Sequence, residues 1–138
     1  MRYIKTYKLF ESISIDEIKS NLKDLCLEFE DNNCQCEIEY SMLFYIDIDI
    51  DRRIILLDSV KTEFGNRKLV SRFPDWFIES CREIESYMNS EGFKTLPSIK
   101  YSYVDSYRND VWEQLNSIDE LSESIGLIYR VRLEFLTL

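Results

Sequence analysis

The stretch from Ser41 to Asp58, SMLFYIDIDIDRRIILLD, constrains the fold more than any other part of the sequence. Between Phe44 and Asp51, Ile46, Ile48 and Ile50 alternate with Asp47, Asp49 and Asp51. Successive strand side chains point to opposite faces, so the pattern predicts a strand with one apolar face and one carboxylate face. Such a strand belongs to an antiparallel sheet that packs on one side and meets water on the other. We expect it near the middle of that sheet, with the three isoleucines buried and the three aspartates exposed.

The 138 residues suffice for one domain with a sizeable core, and we read 1–138 as a single α+β domain. A 45% hydrophobic and 14% aromatic content excludes disorder. The longest uncharged apolar runs, such as Met42 to Ile46, are too short to span a membrane. No charged and then apolar leader with a small-residue cleavage site opens the sequence, so a cytoplasmic setting is expected. Seventeen basic residues against 26 acidic ones, a net charge of −9, disfavour direct binding to a phosphate backbone. A basic partner and a homo-oligomer both stay open.

The chain divides into alternating helical and extended segments. Ser14 with Glu17 forms a capping box, and Ile13 with Ile18 a hydrophobic staple. Ile18, Leu22, Leu25, Cys26 and Phe29 then follow at helical spacing, and Asp31-Asn32-Asn33 stops the helix. Cys34 to Tyr40 alternates and pairs most simply with the Ile/Asp strand through a turn near Ser41. Arg52-Arg53 reads as a tight turn, with Ile54 to Leu57 returning as another strand; a single long strand with a bulge is the competing reading.

Residues 58–73 read as a connection around Gly65-Asn66, whose Phe64, Leu69 and Val70 lean on the core. A second helix opens at Pro74-Asp75, carries Phe77, Cys81, Ile84 and Met88 on its apolar stripe, and ends at Gly92. Ile99 to Tyr107 and Val111 to Leu115 form a hairpin around Arg108-Asn109-Asp110. Ser117 and Glu120 make a second capping box for a short helix ending near Gly126. The closing strand sets Leu127, Tyr129, Val131, Leu133 and Phe135 against Ile128, Arg130, Arg132 and Glu134. Its arginines should lie beside the aspartates, because opposite charges on neighbouring strands attract. The expected architecture is an antiparallel sheet of five or six strands with two main helices packed on one face.

Chemistry is scarce in this pattern. The chain has no His, so the usual Ser and Cys dyads and triads are missing, and no glycine-rich phosphate loop occurs. Cys26, Cys34, Cys36 and Cys81 lack zinc spacing and read as structural thiols. Asp47, Asp49 and Asp51 are the candidate metal ligands. Their spacing mimics a calcium loop with Asp58 at its twelfth position, but Arg52 stands where that loop needs glycine. On a strand the three carboxylates sit about 6–7 Å apart in a row, too far to share one ion. No catalytic residue, cofactor or metal is therefore assigned. Asp47, Asp49, Asp51, Arg130 and Arg132 remain as candidates for an interaction surface. Tyr101, Tyr103, Tyr107 and Trp112 read as an aromatic hairpin face packed on a helix, with Lys100 and Arg108 too few for a base-stacking platform.

Residues 1–12, MRYIKTYKLFES, differ from the rest in carrying Arg2, Lys5 and Lys8 against one acid. They read as an edge strand or as an appended leader. This stretch, with an acidic α+β body behind it, resembles the small acidic proteins of unassigned role encoded by large tailed phages. Leu9-Phe10-Glu11 is similar to the Leu-x-Glu motif at which a prohead protease cuts capsid-targeting leaders. The resemblance implies a phage setting, and with no catalytic motif in the chain we expect a non-catalytic accessory protein that binds another macromolecule, as an inhibitor of a host protein or as a factor associated with the virion. A protein partner in the host cytoplasm or in the virion follows. The competing class is a small metal-dependent enzyme using the acidic residues of the Ile/Asp strand.

Overall fold

A computed structural model describes residues 15–61, 63–65, 67–102, 111–122, 124–125 and 127–137. The leader, the Ser14 cap with its Ile13 staple, Asn66, Tyr103, Tyr107, the Arg108-Asn109-Asp110 turn and Gly126 lie outside them. The fold class is α+β, with the main sheet antiparallel and helices packed on one of its faces.

Helix α1 covers residues 15–25 and, after a turn at Cys26, continues as α2 (Leu27–Asp31). Ile18, Leu22, Cys26 and Phe29 are its buried stripe, as the spacing requires. Its end is set by asparagines. Asn32 donates a side-chain hydrogen bond to the Glu28 carbonyl, and Asn33 takes the left-handed conformation at φ 65°. Strand β1 (Gln35–Tyr40) follows and turns into β2 (Phe44–Asp49), pairing Ile38 with Ile46 and Glu37 with Asp47.

Helix α3 (Asp75–Ser90) has Pro74 as its N-cap and buries Phe77, Ile78, Cys81, Ile84 and Met88. Gly92 ends it at φ 91°. Strands β5 (Phe93–Ser102), β6 (Val111–Gln114) and β8 (Leu127–Thr137) complete a five-stranded sheet of order β1-β2-β8-β5-β6. The central strand is thus β8, and β2 lies beside it. β8 is flanked by β2 and β5, so its Val131, Leu133 and Phe135 meet Ile48, Ile46 and Phe44 on one side and Ile99, Pro97 and Thr95 on the other. These inward residues and the helix stripes form one core, with Phe29 and Phe77 edge to face at 4.9 Å between centroids.

Four expectations are corrected. The chain after β2 does not return along it. Asp51 caps a 3-10 turn (Arg52–Ile54), and β3 (Leu56–Lys61) leaves for a second sheet with β4 (Arg67–Arg72) and β7 (Ser124–Ile125). Residues 58–73 therefore contain most of a hairpin rather than a plain connection, and Phe64 is 89% exposed instead of resting on the core. A bulge shifts the register where Lys100 pairs with Arg130 but Tyr101 with Ile128. The extra residue, Tyr129, inverts the alternation, so Ile128 is buried and Tyr129 is only half-buried. The short helix after Ser117 is a 3-10 turn (Ile118–Ser122), and Glu120 reaches back to the Asn116 N–H at 3.0 Å.

Candidate functional site

The two faces of the five-stranded sheet follow from the register. Phe44, Ile46 and Ile48 of β2 point to the helices; Tyr45, Asp47 and Asp49 point the other way. On β8 the second face carries Arg130, Arg132 and Glu134; on β5 it carries Leu96, Ser98 and Lys100; on β6 it carries Trp112 and Gln114. On β1 it carries Gln35, Glu37 and Glu39. The apolar stripes of the described helices all belong to the core on the opposite face.

Pairing sets Asp47 beside Arg132 and Asp49 beside Arg130. Arg132 holds Asp47 bidentately, Nε to Oδ1 at 2.6 Å and Nη2 to Oδ2 at 2.9 Å. Arg130 donates from Nε to Asp49 Oδ1 at 2.6 Å, and its Nη1 reaches Asp47 Oδ2 at 3.5 Å. These hydrogen bonds, with Asp49 the leading partner of Arg130 and Asp47 of Arg132, hold both guanidiniums above the ordinary arginine pKa.

Arginine also explains a correction. Asp47 was expected to be exposed, yet it is only 6% accessible because both guanidiniums lie over it. Asp49 stays half-open, and Asp51 has left the strand. Ile50, expected to be fully buried, lies past the end of β2 and is half-buried. Asp51 accepts from the Arg53 backbone N–H at 3.0 Å and from its guanidinium, which holds the carboxyl below the usual range.

The guanidinium of Arg132 is stacked between two aromatic rings, 4.2 Å from the centroid of Tyr45 and 4.6 Å from that of Trp112. Lys100 lies 5.6 Å from the same indole. This stack corrects the aromatic hairpin expectation. Tyr101 is buried toward the helices, but Trp112 points to the opposite face and is 41% exposed. Tyr45 shares the strand parity of Asp47 in the sequence, whereas Trp112 joins this face only through its register with Lys100.

Asp47, Asp49 and Asp51 are each engaged by arginine, and among the described residues no cluster of three or more His, Cys, Asp or Glu side chains could hold a metal ion. The four cysteines are free. Burial pushes the Cys34 and Cys81 thiols up, and a hydrogen bond with Cys26 pushes Cys36 up, so these three stay protonated and weakly nucleophilic at neutral pH. Among the described residues no helix is long and apolar enough to cross a membrane. Comparison with protein-family models, with curated proteins and with solved structures finds no match.

Proposed function

We propose that the chain is a non-catalytic accessory protein of the kind its N-terminal stretch resembles among large tailed phages. It works by binding another protein through the outer face of the five-stranded sheet, either to inhibit a host protein or as a factor of the virion. One observation carries this reading: the Tyr45–Arg132–Trp112 stack stands on a face whose two arginines are already paired with aspartates. Tyr, Trp and Arg are the residues that most often dominate binding energy at protein interfaces. Prepaired charges and stacked rings also leave little side-chain freedom to lose on association. Asp47, Asp49, Arg130 and Arg132 are then the frame that keeps the stack in place.

The experiment is affinity capture from the host with the full chain and with Trp112→Ala, both checked for an unchanged melting curve. A protein retained by the parent and lost from the variant supports the reading. Retention of the same proteins by both contradicts it.

A further inference from the structure

Strand β1 lies at one edge of the five-stranded sheet, and among the described residues it pairs only with β2. Its two faces are unlike. Toward the core, Cys36 and Ile38 are half-buried and Tyr40 is 45% exposed, an apolar row left partly uncovered at the sheet's margin. On the outer face stand Glu37 and Glu39, and among the described residues neither has an ion-pair partner.

Glu37 pairs directly across from Asp47, a like charge whose own partner, Arg132, lies on the far side. Like charges directly opposite destabilise a strand pair. The row Glu37, Asp47, Arg132 thus lacks a cation at its open end. Two copies of β1 paired in register would set glutamate near glutamate, so the edge rejects its own kind, as sheet edges must. A strand with Lys or Arg opposite Glu37 and Glu39 meets the opposite situation.

We propose that β1 accepts an extended, basic segment of a partner protein as a sixth strand. Its cationic side chains pair with Glu37 and Glu39, and its apolar ones cover Cys36, Ile38 and Tyr40. Backbone hydrogen bonds supply the attachment and the alternating side chains supply the selection. The inference rests on the reading of the chain as a binding protein, and it names the chemistry of what is bound.

The test uses the full chain and two short synthetic peptides, one alternating lysine with valine and one alternating glutamate with valine. Backbone amide resonances and hydrogen exchange report binding. The lysine peptide is expected to shift and protect amides of residues 35–40, and the glutamate peptide to do neither. Glu37→Lys with Glu39→Lys should weaken lysine-peptide binding by about tenfold or more, because two attractive pairs become repulsive. Glu79→Lys with Glu83→Lys makes the same change in net charge on the exposed side of α3, and should weaken it by less than about twofold. If the β1 reversal lowers the melting temperature, Glu37→Gln with Glu39→Gln removes the same charges, and its selective loss of binding decides in the same way. Equal weakening by the β1 and α3 variants, protection away from β1, or equal binding of the two peptides would overturn the proposal. Failure here leaves the Trp112 capture comparison intact, since that depends on the face and not on the edge.

Discussion

Asp47 and Asp49 sit two residues apart on one strand face and differ in what replacing them should do. Asp47 is buried under Arg132 and Arg130, whereas the Asp49 side chain is 48% exposed. Removing the charge of Asp47 leaves the Arg132 guanidinium partly buried without its bidentate acceptor. Asp47→Asn is therefore expected to cost about 1–3 kcal/mol in urea unfolding. Asp49→Asn, at an exposed pair, should cost about 0–1 kcal/mol. Equal costs would mean that the pairing does not bury Asp47 selectively. That the aspartates share a face was legible from the period of two. That one of them is buried was not, because burial depends on which strand comes alongside and on arginines some eighty residues away.

Glu85 on α3 behaves differently. Burial pushes its carboxyl up, nearby Asp119 adds to this, and Arg82 opposes it. Arg82 itself pairs with Asp119. A carboxyl with a folded pKa above its unfolded one binds more protons when folded, so stability falls as pH rises through that interval and stays reduced above it. Glu85→Gln should accordingly raise stability at about pH 7 and change little at about pH 3, where both states are protonated. A gain of the same size at both pH values would assign it to packing instead.

At the scale of elements, the buried stripes of the helices were legible in the sequence, whereas the second sheet was not. The α1–α2 and α3 stripes follow from spacing alone, and Asn33 and Gly92 end their helices with positive φ. An added Cβ at Gly92 would meet nothing within 4 Å, so Gly92→Ala isolates the backbone term. It is expected to cost about 1–2 kcal/mol, measured by thermal unfolding. No loss would mean that the helix end relaxes to another conformation.

The β3–β4 hairpin escaped detection for a physical reason. In LLDSVK and RKLVSR the apolar residues Leu56-Leu57 and Leu69-Val70 are adjacent rather than alternating, so the sequence carries no period of two there. The bulge at Tyr129 escaped for another reason: an extra residue preserves the composition of a strand while exchanging its faces.

For the whole molecule, the asymmetry between the sheet's two faces matters more than the net charge of −9. One face is closed by helices; the other displays arginines neutralised by aspartates and a guanidinium held between two rings. The main sheet and its helix-covered face were legible from alternation and helical spacing. The stack was not, because Tyr45, Trp112 and Arg132 come from three strands that only the sheet order β2-β8-β5-β6 brings together. Carboxylates already satisfied by arginine are poor ligands for a divalent ion. Millimolar Mg²⁺, Mn²⁺ or Ca²⁺ should leave the melting temperature unchanged, since only an ion that binds the folded state stabilises it by mass action. A rise that disappears in Asp49→Asn would restore the metal-dependent alternative.

The most direct measurement is amide hydrogen exchange of the full chain alone and in complex with the protein it captures. Added protection is expected at 45–49, 111–114 and 130–132, where the outer face carries its stacked arginine. Protection confined to α3 or to the β3–β4 hairpin, with these segments unchanged, would contradict the assignment of this face as the binding surface.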